Sequence, residues 1–132
     1  MKRIIPNIVI NNCSEALEFY KEIFGGEIKN HQLADGKEMF KGFEGKIVHS
    51  ELWINDDCVL HLNDVMMGGS GDFRSNINLM LQMDSMDEIK RAFEGLSKNG
   101  KVQFELQKTF WGSYHAVVID RFGVIWSLDF AG

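Results

Sequence analysis

Apolar and polar positions along this chain follow two periods, one of strands and one of helices. Residues 4–10 are apolar and β-branched, which predicts a strand. Asn11-Asn12-Cys13-Ser14 supplies capping side chains. Ala16, Phe19, Tyr20, Ile23 and Phe24 then recur at three- and four-residue spacing, one face of a helix. Gly25-Gly26 predicts its stop, since glycine adopts the left-handed conformation that ends helices. Residues 27–33 read as a second strand. Residues 34–46, with Gly36, Gly42 and Gly45, read as a loop. Residues 48–54 and 58–63 read as a hairpin turned at Asn55-Asp56-Asp57.

The longest break, residues 64–75, carries Met66, Met67, Gly68, Gly69 and Gly71 and reads as a linker. The order then restarts. Residues 77–83 predict a strand, and Ser85 with Glu88 forms a capping box. Met86, Ile89, Phe93 and Leu96 give the next helix face, with Gly100 as its stop. Strands follow over 101–106, 114–120 and 124–130, with the turn Asp120-Arg121-Phe122-Gly123 between the last two. The pattern is strand–helix–strand–strand–strand, twice. Leu17 corresponds to Ile89, Ile5 to Ile77 and Ile54 to Ile119, although residue identity between the halves is poor. This predicts an α+β fold of two βαβββ modules in a single domain over 1–132. Module one spans about 1–64, the linker about 65–75 and module two about 76–132. Each module would lay a helix on one sheet face, and together they would form a curved mixed sheet around a cleft.

Composition narrows the function classes. The 132 residues are 45% hydrophobic and 25% charged, ordinary for a soluble globular chain. Lys and Arg total 14 against 19 Asp and Glu, a net charge of -5, which argues against a nucleic-acid partner. No apolar run reaches the ~18 residues of a membrane span, and the first residues lack the apolar core of a signal peptide. Cys13 and Cys58 are far apart with no Cys-x-x-Cys, as for reduced thiols in the cytoplasm, the expected location.

Specific stretches resemble a known family. They are Ala16-Leu17-Glu18-Phe19-Tyr20, Phe24-Gly25-Gly26-Glu27, His49-Ser50-Glu51-Leu52, Phe110-Trp111-Gly112 and Asp120-Arg121-Phe122-Gly123-Val124 with Trp126. The chain resembles the vicinal-oxygen-chelate superfamily of glyoxalase I, bleomycin-resistance proteins and extradiol dioxygenases, and within it the PhnB-like branch. The resemblance implies the paired-module fold. It also implies a divalent metal that polarises substrate oxygens as a Lewis acid. Its ligands would be His, Glu or Gln on the first and last strands of each module. The matching positions are about Ile5, His61, Ile77 beside Asn76, and Trp126 or Ser127. Only His61 is a ligand type, and a catalytic metal usually needs about three protein ligands. The family-type metal is therefore not expected, and no cofactor is.

Strand alternation places the remaining polar groups. Leu52 and Ile54 would face the helix, leaving His49, Glu51 and Trp53 opposite. Leu60 and Leu62 would face the helix, leaving Val59, His61 and Asn63 opposite. The repeat would put Tyr114, Ala116 and Trp126 on the cleft side and His115 toward a helix. The expected function is binding of a small organic molecule in the cleft by His49, Glu51, Trp53, His61, Trp111, Tyr114 and Trp126. The alternative is a lyase, isomerase or dioxygenase with a divalent metal on His49, Glu51 and His61. A non-catalytic scaffold is a third reading. A homodimer is expected by resemblance.

Overall fold

The computed structural model describes residues 1–66 and 75–132. The linker prediction falls largely on 67–74, outside the described residues. The chain divides into two compact units, residues 1–72 and 73–132. In the first unit the order is β1 (Asn7–Ile10), α1 (Cys13–Phe24), β2 (Glu27–Leu33), β3 (Ile47–Trp53) and β4 (Val59–Asp64), with a short 3-10 turn at Glu38–Phe40. The second unit holds β5 (Leu79–Gln82), α2 (Met86–Ser97), β6 (Lys101–Lys108), β7 (Tyr114–Ile119) and β8 (Ile125–Phe130). Each unit is one four-stranded mixed sheet, ordered β1-β4-β3-β2 and β5-β8-β7-β6, with one helix. The fold is α+β, as the sequence predicts.

Local chemistry explains the elements. Asn12 caps α1 from a left-handed conformation, its side chain accepting from the Glu15 N–H. The buried stripe of α1 is Cys13, Ala16, Leu17 and Tyr20. Phe19, Ile23 and Phe24, expected on that face, are half-buried at its margin. Burial pushes the Cys13 thiol up to about 11, opposed by its contact with the Ser50 hydroxyl. Ser85 caps α2 through the Glu88 N–H, while the Glu88 carboxylate reaches back to the Asp84 N–H. Asn55 holds the β3–β4 turn by accepting from the N–H groups of Asp57 and Cys58.

Two glycines have a stricter role than stopping helices. A Cβ on Gly26 would overlap the Trp53 carbonyl oxygen, and one on Gly100 would overlap that of Ile119. At α2 the left-handed residue is Asn99, not Gly100. The matched contacts show that Trp53 corresponds to Ile119. The sequence had aligned Ile54 with Ile119, one residue off. That slip matters, because one residue inverts every side chain of a strand.

In the first unit the alternation holds. Ser50 pairs with Leu62 and Leu52 with Leu60 across β3–β4, and all four are buried with α1. In the second unit Ala116 pairs with Leu128 and Val118 with Trp126, and all four are 0% exposed. They share the face packed by α2, whose Ile89 and Leu96 are also fully buried. Trp126 and Ala116 are therefore core residues beneath the helix, not cleft-lining ones, which corrects the expectation. Tyr114 lies on the same side, stacked on Phe130 at 6.4 Å. His115 takes the opposite face, where the aligned His49 stands in the first unit. The Asp-x-Phe-Gly-x-x-Trp stretch is explained by Asp120. Its carboxylate accepts from the Phe122 and Val124 N–H groups and, at 2.8 Å, from the Trp126 indole. Asp64, read as the start of the linker, instead closes β4 and is buried.

Candidate functional site

The face of the first sheet away from α1 carries a polar cluster. Glu51 on β3 lies directly opposite His61 on β4 in the antiparallel ladder. His49 and Trp53 stand two residues either side of Glu51 on the same face. His49 Nε2 donates to Glu51 Oε2 at 2.6 Å. Trp53 Nε1 donates to Glu51 Oε1 at 2.8 Å. A third donor comes from β2, where Asn30 Nδ2 reaches the same oxygen at 2.9 Å. The His49 and His61 rings meet edge to face, 4.9 Å between centroids. Lys29 Nζ sits 4.6 Å from the Trp53 ring centroid, a cation–π distance.

Asn30 and Lys29 are site residues that alternation did not find. Asn30 has φ 52, and the β2–β3 register shifts between Lys29 and Gln32. A bulge there turns the Asn30 amide toward Glu51, and asparagine tolerates the left-handed conformation that this needs. An asparagine inside a strand, where it is depleted, was the available signal.

The electrostatics centre on Glu51. The His49 hydrogen bond holds its carboxyl down at about 2, helped by the Trp53 and Asn30 bonds and the nearby His61, against partial burial. A depressed folded-state value means that ionised Glu51 stabilises the fold above its ordinary 4.5. That contribution is lost as pH falls from there toward 2. Between pH 7 and pH 3 the native chain should lose on the order of 2 kcal/mol more than Glu51→Gln, less than the full shift implies because His49 is open to solvent. Urea unfolding of both proteins at each pH measures this; parallel losses would remove the assignment.

The positions implied for the family's metal hold other groups. Ile5 lies outside β1. The β1 residue opposite His61 is Asn7, whose amide donates to Asn63 at 3.2 Å. In the second unit the matching pair is Met80 and Ser127. Trp126 is buried beneath α2. His61 is the one imidazole among them, so these residues do not fit that metal.

The remaining expected site residues divide between faces and units. Trp111 belongs to the second unit, is 55% exposed, and lies 5.9 Å from the His115 ring. Tyr114 and Trp126 are on the helix side of their sheet. Trp126 is 0% exposed and presents no surface to a ligand. Two surface depressions flank helix starts, one with Asn12, Ser14, Lys46 and Asp64, the other with Ser85, Asp87, Glu88 and Arg91. Neither includes the cluster. The cluster is the stronger site, because three donors converge there on one buried carboxylate.

Comparison with known proteins agrees with this architecture. The chain is 30% identical over 131 residues to protein YjdN of Escherichia coli strain K12, covering 89% of this chain and 87% of that one. It superposes on protein PA1353 of Pseudomonas aeruginosa with TM-score 0.87 and 27% identity, over 98% of each chain. The PhnB protein of Bacillus cereus has the same fold, with TM-score 0.82 and 22% identity over 98% of this chain and 100% of that one. Residues 4–128 match the family model of the Glyoxalase/Bleomycin resistance protein/Dioxygenase superfamily, and the chain belongs to that superfamily.

Proposed function

We propose that this protein binds a small organic molecule on the helix-free face of its first sheet, over Trp53, His49 and His61, without a metal at the family's usual positions. The observation that carries this reading is the triple-donor clamp on Glu51. It fixes two polar side chains and an indole in one arrangement before any ligand arrives, which lowers the ordering cost of binding. The His49 side chain is 34% exposed and gives the cluster an outward polar edge. Two imidazoles and the Lys29 ammonium suit a ligand with oxygen acceptors, and the Trp53 indole suits one with a planar ring. Asn7, Met80 and Ser127, where the family places metal ligands, support the absence of a metal at those positions.

The test is a fluorescence titration with a panel of small aromatic acids. A saturable change is expected that disappears in Trp53→Phe and weakens about tenfold in His61→Ala, roughly 1.4 kcal/mol. A flat response across the panel, or a response indifferent to both substitutions, would overturn it.

A further inference from the structure

We propose that His49, Glu51 and His61 form a site for one divalent transition-metal ion of the zinc type, at a position that the family's metal pattern does not use. Two of the three donors come from β3, and only His61 coincides with a family position. The proposal uses the same face as the reading above and shares its Glu51 hydrogen bonds, and the convergence of three donor atoms is an observation of its own.

The first is convergence. One donor atom from each of the three side chains lies within 4.8 Å of the other two. Among the described residues this is the one such group of three His, Cys, Asp or Glu side chains. Donors about 2.1 Å from a tetrahedral ion stand roughly 3.4 Å apart. The His49–Glu51 contact at 2.6 Å would open by about 1 Å and the widest separation would close by a little more. Side-chain rotations on fixed strands supply movements of that size.

The second is the outer shell. Both Trp53 and Asn30 donate to Oε1 of Glu51, leaving Oε2 directed at His49. Metal-ligating carboxylates are held in this way by hydrogen bonds to their other oxygen. Binding exchanges one hydrogen bond, His49 to Oε2, for three coordination bonds, and the His49 Nε2 proton moves to Nδ1 by tautomerisation or is released to solvent. The remaining Glu51 contacts stay in place.

The donor set defines the ion. Two imidazole nitrogens and one carboxylate oxygen suit zinc, nickel or copper, whereas magnesium and calcium want oxygen shells. Three protein ligands leave a coordination position for water or a ligand oxygen.

The experiment is zinc titration of the intact chain by calorimetry, with elemental analysis after dialysis. One ion per chain is expected, unaffected by millimolar magnesium. His49→Ala and His61→Ala should each weaken binding at least about tenfold, and His31→Ala, at an exposed position, should not. Histidine ring NMR on the unaltered chain gives a second readout that does not depend on variants folding. The His49 and His61 resonances should shift with zinc, and those of His31 and His115 should not. No binding tighter than about 1 mM, binding that survives both substitutions, or shifts confined to His31 and His115 would each overturn the proposal. Zinc binding without any response to aromatic acids would remove the previous reading alone, and the reverse result would remove this one alone.

Discussion

Replacing Trp126 with alanine should cost about 3–5 kcal/mol of folding stability, a large part of what a domain this size possesses. The indole is 0% exposed and sits opposite Val118 on β7 and Leu79 on β5. Removing it empties a volume that the strands cannot close without breaking their ladders. It also strips Asp120 Oδ2 of its indole donor, in a residue only 3% exposed. Trp126→Phe separates the two effects, because the ring remains while the N–H is lost. That variant should cost about 1–3 kcal/mol, in line with the loss of one buried hydrogen bond to a carboxylate. Urea denaturation followed by circular dichroism measures both. A loss under about 1 kcal/mol for the alanine variant would contradict the placement of Trp126 beneath α2. It would restore Trp126 as a candidate binding residue.

Asp64→Ala should be nearly as damaging, at roughly 2–5 kcal/mol. The Asp64 carboxylate is 6% exposed and accepts two backbone donors, the Cys13 N–H at 2.8 Å and the Ile47 N–H at 2.7 Å. Those donors begin α1 and β3, and Asp64 itself ends β4 beside Ile10 of β1. The side chain therefore ties α1 and β3 to the end of β4, and its negative end faces the start of a helix, where the dipole favours it. Alanine leaves two buried N–H groups with no acceptor. Asp64→Asn keeps one acceptor oxygen and should fall between the native chain and the alanine variant. Equal midpoints for all three proteins would show that solvent satisfies those N–H groups and that the tie is dispensable.

The candidate site was partly legible in the sequence. In β3 and β4 polar and apolar residues alternate with strong contrast, Leu52 against His49, Glu51 and Trp53, and Leu60 and Leu62 against His61. Contrast of that kind fixes the phase of a strand, so the shared face of these four residues could be read directly. Their neighbourhood could not. That Glu51 faces His61 and not the residue two along is a matter of register, set by the Asn55 turn and the β3–β4 ladder. Asn30 was out of reach because a bulge breaks the period on which the reading depends.

The second unit shows where that method fails. One face of β7 and β8 carries Ala116, Val118, Trp126 and Leu128, and the other carries His115, Val117, Ile119, Ile125, Ser127 and Asp129. β7 is apolar on both faces and has no contrast to fix its phase. β8 alternates Trp126, Leu128 and Phe130 against Ser127 and Asp129, a contrast that agrees with the placement beneath α2 and that the repeat alignment overrode. The phase was taken from the repeat, which was aligned one residue off. Packing revealed the error, through the approach of Gly26 to Trp53 and of Gly100 to Ile119.

The sequence by itself determined the order of elements, the two βαβββ modules, both helices with their N-terminal caps, and the four residues on the helix-free face of the first sheet. Each follows from local periodicity and local hydrogen bonding, which act over a few residues. The tertiary structure decided which strand residues oppose one another, which face of the second sheet lies beneath α2, that Asp64 and Trp126 are structural, and that Asn30 completes the Glu51 clamp. Those depend on register and on burial between segments distant in the chain, and hydrophobic burial is non-directional, so local pattern alone did not settle them.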